Sequence, residues 1–284
     1  KQTDFQFSMA GDYMRGITGN KNIASASIAF KIPFAYLLFY SNKNILIKII
    51  SILIITVSFF NLYLLSSRAI IVSYSLSLIF ITIGYAILYS KAKHKKNIYA
   101  LKKIFVLLLP IIISYFYFQK NINDDNLSIE NRISSINTED VSANTRIRYY
   151  KKGINYFLSN PLIGSGIGNW QIVSIDLDSE NIESYVVPYV AHNDFIEVLV
   201  ESGFFGGLFY LLFILFTLYI LIKTFFKTSS LEHKEKILFL SIPFIIYFID
   251  ANLNFPQYRP IMQVGFILYS FLVINLKTKN QKNV

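Results

Sequence analysis

Residues 204–222, FFGGLFYLLFILFTLYILI, contain no charged side chain. Because an α-helix rises about 1.5 Å per residue, a stretch of this length crosses the hydrocarbon core of a bilayer, which is about 30 Å thick. Helices in the core of a soluble protein are usually shorter and carry a polar face. The stretch therefore predicts a membrane-spanning helix.

Six further apolar stretches of similar length occur along the chain. They lie at residues 23–41, 45–65, 69–89, 101–118, 237–254 and 260–276. Of the 284 residues, 54% are hydrophobic and 15% are charged, whereas soluble domains are about a quarter charged. We predict an all-α polytopic membrane helix bundle, a single membrane domain over residues 1–284 with about seven transmembrane helices. The chain starts at Lys1 without a signal-peptide pattern, so we expect the C-terminal part of a longer protein.

The charged residues are segregated between alternate connections. Residues 119–203 hold twelve Asp or Glu and six Lys or Arg, a net charge of −6, within a chain whose net charge is +10. Two other connections and the C-terminal tail are basic: Lys91, Lys93, Lys95, Lys96, Lys102 and Lys103; Lys223, Lys227, Lys234 and Lys236; Lys277, Lys279 and Lys282. Since Lys and Arg are retained on the cytoplasmic side, we expect residues 119–203 to form a large, partly helical external loop. This segregation favours membrane topology over a nucleic-acid partner.

Within the external loop, residues 143–158 have the periodicity of a helix that carries Arg146 and Tyr150 on one face. Asn160-Pro161 predicts its end, and Gly164, Gly166 and Gly168 follow before Trp170. No predicted strand precedes these glycines, so we interpret them as a tight, close-packed turn and not as a nucleotide-binding loop.

His192 is the single histidine on the predicted external side, because His94 and His233 lie in the basic connections. A neutral imidazole accepts a proton near neutral pH, which makes His192 a candidate general base. Asp194 and Glu201 follow on a predicted helix that enters the membrane, where we expect them to orient or cap. The chain has no cysteine, so a thiolate metal site is excluded.

An ordered set of motifs on the predicted external side resembles the O-antigen ligase and polymerase superfamily. The set comprises Gly16-Ile-Thr-Gly19-Asn20, Ser66-Ser67-Arg68-Ala69, Arg146-Ile-Arg-Tyr-Tyr150, Asn160-Pro161-Leu-Ile-Gly164-Ser-Gly166-Ile-Gly168-Asn-Trp170, His192-Asn193-Asp194, Glu201-Ser-Gly203 and Asn254-Phe255-Pro256. The resemblance covers nearly the whole chain. Tyr150 stands where many members have tryptophan.

The resemblance implies a metal-independent glycosyltransferase without a cofactor, in the bacterial inner membrane with its active face in the periplasm. Its donor would be a lipid-linked glycan on a polyprenyl diphosphate, and its acceptor a hydroxyl of lipid A-core or of a glycan. The catalytic residues implied are His192, Arg146 and Arg68, because arginine binds phosphate oxygens through paired donors. Residues expected to bind substrate are Arg148, Tyr150, Trp170, Asn193 and Asp194.

Several alternatives stay open. Ligase, O-antigen, capsule or exopolysaccharide polymerase, and protein O-oligosaccharyltransferase share the motif set. A polysaccharide transporter is a different class, but Lys31, Lys48 and Asp250 lie near span ends and no internal repeat is visible. A scaffold or sensor would not need external arginines and a histidine together. Arg68 and Arg146 also have structural interpretations, contact with lipid head groups and pairing with a loop carboxylate, respectively.

Overall fold

The computed structural model describes residues 20–89, 94–121, 141–181 and 189–281. These residues form nine α-helices and two short 3₁₀ turns, at Ser179–Asn181 and Pro256–Tyr258, and contain no strand. The helices are α1 (Lys21–Ser41), α2 (Ile45–Leu65), α3 (Arg68–Tyr89), α4 (His94–Asn121), α5 (Val141–Ser159), α6 (Trp170–Asp178), α7 (Asp194–Lys227), α8 (Leu231–Leu253) and α9 (Pro260–Gln281). The prediction of an all-α polytopic membrane bundle is confirmed.

Six described helices are long and apolar enough to cross a membrane, namely α1, α2, α3, α7, α8 and, within α4, Leu101–Lys120. The seventh predicted span is also helical, with a described apolar part, Pro260–Leu276, that is shorter than in the other six. The start of α1 is fixed by a local hydrogen-bond cap. The side chain of Asn20 accepts hydrogen bonds from the backbone N–H groups of Asn22 and Ile23 and so caps α1. Gly16 and Gly19 of that motif lie outside the described residues.

The chain divides into two compact units. The first comprises residues 1–134, 223–247 and 278–284, and the second comprises residues 135–222 and 248–277. In the first unit, tyrosine hydroxyls within the apolar layer donate to backbone carbonyl oxygens, as Tyr74 does to Ala29 at 2.9 Å and Tyr36 to Leu107 at 2.6 Å. Each bond satisfies a polar group that lipid would leave unpaired.

Glu235 of α8 accepts hydrogen bonds from Tyr89 of α3 and from Lys103 of α4, all within the first unit. Lys103 and Glu235 belong to the two connections that the sequence assigned to one side of the membrane. The contact shows that these connections end at the same side of the first unit.

In the second unit, α7 packs against α9 through Phe213 and Phe266, whose ring centroids lie 5.7 Å apart, and through Thr217 and Ser270. Helix α7 is interrupted at Gly203, which has φ +64° and ψ −164°. The interruption separates a short helix, residues 194–202, from the long apolar helix that follows. The sequence placed the start of the span at residue 204 but predicted no interruption of the helix there.

Candidate functional site

The loop before α7 holds His192 in a backbone conformation that residues other than glycine rarely adopt, with φ +60°. Hydrogen bonds fix the residues on both sides. The N–H of Ala191 donates to Oε2 of Glu197 at 2.7 Å, and Oδ1 of Asn193 caps α7 by accepting from Phe195 and Ile196. The position of the imidazole is therefore set by its neighbours.

Tyr150 of α5 binds the same loop. Its hydroxyl group donates toward the carbonyl oxygens of His192 at 2.9 Å and of Asn252 at 3.4 Å. The side-chain amide of Asn193 donates weakly to the same Asn252 oxygen at 3.5 Å. Burial raises the pKa of Tyr150, so its hydroxyl remains a donor. This contact ties α5, the His192 loop and the end of α8 together.

Arg146 lies one helical turn before Tyr150 and points to the same segment. Its Nη1 donates to the carbonyl oxygen of Leu253 at 3.0 Å. Its Nε is buried and has no hydrogen-bond partner among the described residues. One contact thus orients the guanidinium, while a buried donor remains for a further acceptor.

The imidazole of His192 packs edge-on against the ring of Phe255, with centroids 5.3 Å apart. Its Nδ1 is buried without a hydrogen-bond partner in the part of the chain that is described. Burial first, and then the positive charges of Arg146 and Arg259, lower the pKa of His192 from 6.5 to about 4. At neutral pH the ring is uncharged, so one of its two nitrogens can accept a proton.

Arg259 is a residue that the sequence reasoning missed. It lies between the Pro256–Tyr258 turn and α9, is only 4% exposed, and has its guanidinium carbon 3.8 Å from the centre of the Phe255 ring. Nε, Nη1 and Nη2 all lack a hydrogen-bond partner among the described residues. A sequence signal existed, because an arginine at the predicted external end of a span departs from the cytoplasmic concentration of positive charge.

Arg148, predicted to bind substrate, is engaged with protein. Its guanidinium makes paired hydrogen bonds to the carboxylate of Asp178, at 3.0 and 3.1 Å, and Lys152 also donates to Asp178 at 2.8 Å. Burial raises the pKa of Asp178, but the hydrogen bonds from Lys152 and Arg148 outweigh burial and hold this pKa below its usual value. The cluster joins α5 to α6.

Trp170 is 1% exposed and packs against Val173, Ala191 and Val200. Both faces of its ring are covered by protein, so its observed contribution is to the core of the second unit. The backbone N–H of Trp170 donates to Oε1 of Glu201 at 2.9 Å, whereas the buried indole Nε1 has no hydrogen-bond partner among the described residues.

Two carboxylates of the 194–202 helix bind the Pro256–Tyr258 turn. Oδ2 of Asp194 accepts from the backbone N–H of Gln257 at 3.0 Å and from the hydroxyl of Tyr210 at 3.2 Å. Oε1 of Glu201 accepts from the hydroxyl of Tyr258 at 3.1 Å. Both acidic residues thus hold backbone and side-chain donors in place, and the substrate contact predicted for Asp194 stays a prediction.

The glycine-rich segment forms a tight turn, as predicted. Gly164, Gly166 and Gly168 have φ values of +70°, +94° and +81°. The backbone of the turn is bound to the end of the 194–202 helix, since Gly166 donates to the carbonyl of Glu201 at 2.8 Å and Phe204 donates to that of Pro161 at 2.7 Å. A Cβ atom on Gly203 would lie 2.4 Å from the oxygen of Leu162. The glycines therefore serve close backbone packing.

Arg68 is the first residue of α3 and is half-buried in the first unit, after Ser66 in the left-handed conformation and Ser67. Its cooperation with Arg146 stays a prediction. Among the described residues, no group of three or more His, Asp or Glu side chains is arranged to hold a metal ion.

The second unit therefore brings together Arg146, Tyr150, His192 and Asn193, and adds Arg259 to them. A comparison with protein families matches residues 52–211 to the O-antigen ligase family, and this match covers more than half of the chain. All eight site residues that the sequence predicted lie inside the matched range, whereas Arg259 lies beyond it. A search of curated proteins gives no match. On this family match, the chain belongs to the O-antigen ligase family.

Proposed function

We propose that the protein transfers a glycan from a polyprenyl-diphosphate carrier to an acceptor hydroxyl of lipid A-core or a similar glycan. The family comprises ligases and polymerases, and this proposal specifies the donor and acceptor. The supporting observation is that Arg146 and His192 both contact the segment 252–255, Arg146 at the carbonyl oxygen of Leu253 and His192 at the ring of Phe255. The imidazole is neutral, and Nε of Arg146 has no hydrogen-bond partner among the described residues.

His192 supplies the base in this reaction. Its neutral ring takes the proton of the acceptor hydroxyl while the acceptor oxygen bonds to the anomeric carbon of the donor sugar. The bond from that carbon to the diphosphate oxygen breaks, and the diphosphate leaves with the electron pair. The proton ends on the imidazole and the negative charge on the leaving phosphate.

Arg146 stabilises this leaving group through charge-assisted hydrogen bonds, and we include Arg68 in the same role. The diphosphate also changes the base. Its negative charge offsets the positive charges that lower the pKa of His192, so donor binding raises this pKa and makes the ring a stronger base. Tyr150 and Asn193 position the His192 loop.

We assign the site to the periplasmic face of the bacterial inner membrane, with residues 119–203 as a periplasmic loop of a single membrane domain. The acidic balance of this loop supports that orientation, as do the basic connections elsewhere. The ion pair between Lys103 and Glu235 also supports this orientation, because it places two of the basic connections at the same side of the first unit. The partners are membrane lipids, the lipid-linked donor and the glycan acceptor.

The test is reconstitution of the complete protein in proteoliposomes with a lipid-linked glycan. We expect His192→Ala to abolish transfer at normal expression, whereas His233→Ala, at the opposite predicted side, should retain it. Near wild-type transfer by His192→Ala would overturn the general-base role. Arg146→Lys should lose most activity because a lysine lacks paired donors.

The acceptor distinguishes the activities within the family. Glycan that appears on lipid A-core supports the ligase, whereas growth of the glycan on its own carrier indicates a polymerase. Glycan on a protein indicates an O-oligosaccharyltransferase. Movement of lipid-linked glycan across the bilayer without transfer would indicate a transporter and would overturn the proposal.

A further inference from the structure

Arg259 is unusual because its charge is buried and its N–H groups make no hydrogen bond among the described residues. The residue is 4% exposed, and its Nε, Nη1 and Nη2 all lack a hydrogen-bond partner among the described residues. A buried arginine without partners is costly, since water has been removed from the cation without replacement. Such a group is expected to bind an anion in the working protein.

The neighbouring carboxylates do not occupy these donors. Asp250 and Asp194 lie close enough to Arg259 to act on its charge, yet no ion pair joins either of them to it in the described part of the chain. Oδ1 of Asp250 accepts from Asn254 at 2.7 Å, and Oδ2 of Asp194 accepts from Gln257. The second oxygen of each carboxylate is buried without a partner. The N–H groups of Arg259 thus remain open, although both carboxylates lie near it.

Phe255 holds the plane of the guanidinium. The guanidinium carbon lies 3.8 Å from the centre of the ring, a cation–π contact that covers one face of the cation. The N–H bonds of arginine lie in the plane of the group, so contact with its face leaves them available for hydrogen bonds. The same ring packs against His192, with centroids 5.3 Å apart, so Arg259 and the proposed base both contact Phe255.

We propose that Arg259 binds a phosphate of the polyprenyl diphosphate through paired hydrogen bonds, with Phe255 orienting its guanidinium beside His192. This inference rests on the proposed function and adds a donor-binding residue to it. Arg259 and Arg146 then both contact the leaving group from segments that adjoin His192, the former after Phe255 and the latter at Leu253. The planar, paired geometry of arginine matches phosphate oxygens.

The experiment compares Arg259→Lys and Arg259→Gln with wild type in the complete, reconstituted protein. Charge-assisted hydrogen bonds correspond to about tenfold to a hundredfold in affinity. We expect Arg259→Gln to raise the KM for the lipid-linked donor and the Kd for undecaprenyl diphosphate by about that factor, with the acceptor KM unchanged. Arg259→Lys should recover only part of the loss. Phe255→Leu, which removes the aromatic face, should act in the same direction with a smaller effect.

A structural role predicts a different pattern. If Arg259 only neutralises Asp250 and Asp194, then Arg259→Lys keeps the donor KM and the Kd of undecaprenyl diphosphate at wild-type values, which overturns the proposal. Restoration of wild-type donor KM in Arg259→Gln by a second change, Asp250→Asn, overturns it as well. This double variant also serves where Arg259→Gln alone fails to fold, because it removes both unpaired charges.

The pH profile gives an independent readout. Loss of the positive charge at position 259 should raise the apparent pKa of the base in kcat/KM, because Arg259 is one of the groups that lower the pKa of His192. An unchanged profile together with an unchanged donor KM would overturn the proposal. The two proposals fail separately: wild-type protein that transfers no glycan rejects the proposed function, whereas normal transfer by both Arg259 variants rejects only this inference.

Discussion

The hydroxyl group of Tyr150 donates a hydrogen bond of 2.9 Å to the backbone carbonyl oxygen of His192, from a helix 42 residues earlier in the chain. The same hydroxyl approaches the carbonyl of Asn252 at 3.4 Å. Because His192 has a positive φ, its loop depends on such contacts to keep the imidazole in place. Tyr150 therefore acts on the site through the backbone of His192.

Replacement of Tyr150 by phenylalanine removes this hydrogen bond while it keeps the ring. A net hydrogen bond contributes about 1 kcal/mol, so we expect glycan transfer to fall by about fivefold to tenfold. The matched control is Tyr156→Phe on the same helix, because the Tyr156 hydroxyl makes no hydrogen bond in the described residues. Equal rates for the two variants, measured at equal expression, would contradict the positioning role.

Replacement of Gly203 by alanine should destabilise the protein. The conformation with φ +64° and ψ −164° is essentially restricted to glycine, and a Cβ atom would lie 2.4 Å from the carbonyl oxygen of Leu162. We expect a loss of about 3 kcal/mol or more in the free energy of unfolding. Thermal unfolding in detergent measures the effect.

Gly168→Ala is the control for steric contact. Gly168 also has a positive φ, +81°, but no atom lies within 4 Å of its Cβ position. Backbone strain alone should cost about 1 kcal/mol. A Tm for Gly168→Ala as low as that for Gly203→Ala would show that strain, and not the contact with Leu162, determines the loss.

Replacement of Asp178 by asparagine leaves the cations of Arg148 and Lys152 without their buried partner. Both cations are about one-third exposed, so we expect a moderate loss of about 2 kcal/mol in stability. The donor KM should stay at the wild-type value, and Asp176→Asn, an exposed neighbour, should leave the Tm unchanged. A large rise in donor KM with an unchanged Tm would instead support the predicted substrate contact of Arg148.

The pKa of His192 predicts how acid affects the protein. The folded pKa of about 4 lies below the unfolded value of 6.5, so between these values the unfolded chain binds a proton that the folded protein does not. Stability from this residue is complete above pH 6.5 and is lost as the pH falls toward 4. NMR titration of the His192 ring should give a pKa that Arg146→Gln raises toward 6.5. A ring that titrates at 6.5 in the wild-type protein would contradict the burial of a neutral imidazole.

Glu201 offers a test of structural against chemical roles for an acidic residue in the site. The residue is 5% exposed, and its Oε1 accepts from the N–H of Trp170 and the hydroxyl of Tyr258. Glutamine keeps an acceptor oxygen and should preserve both stability and transfer, whereas alanine should lower the Tm. Loss of transfer in a stable Glu201→Gln variant would show that the negative charge itself is needed.

The spans were predictable because lipid requires long apolar segments, and segments such as 204–222 meet this requirement without reference to the rest of the chain. The start of this span after Gly203 was visible in composition, whereas the interruption of the helix at Gly203 was not predicted. The contacts of the site were not predictable in the same way. Arg146 and Arg148 lie two residues apart on one helix, yet one donates to Leu253 and the other is held by Asp178. The position of Arg259 at the predicted external end of a span was a sequence signal, but its unpaired N–H groups are a property of its three-dimensional surroundings.

The three carboxylates of the 194–202 helix each accept a hydrogen bond from the backbone of a different segment: Asp194 from Gln257, Glu197 from Ala191 and Glu201 from Trp170. Alanine variants of these acidic residues would lose the hydrogen bonds that hold the three segments together, whether or not the residues transfer protons. Inactive alanine variants are therefore weak grounds for naming a catalytic acid on this helix. Amide replacements, which keep an acceptor oxygen and remove only the charge, separate the two roles.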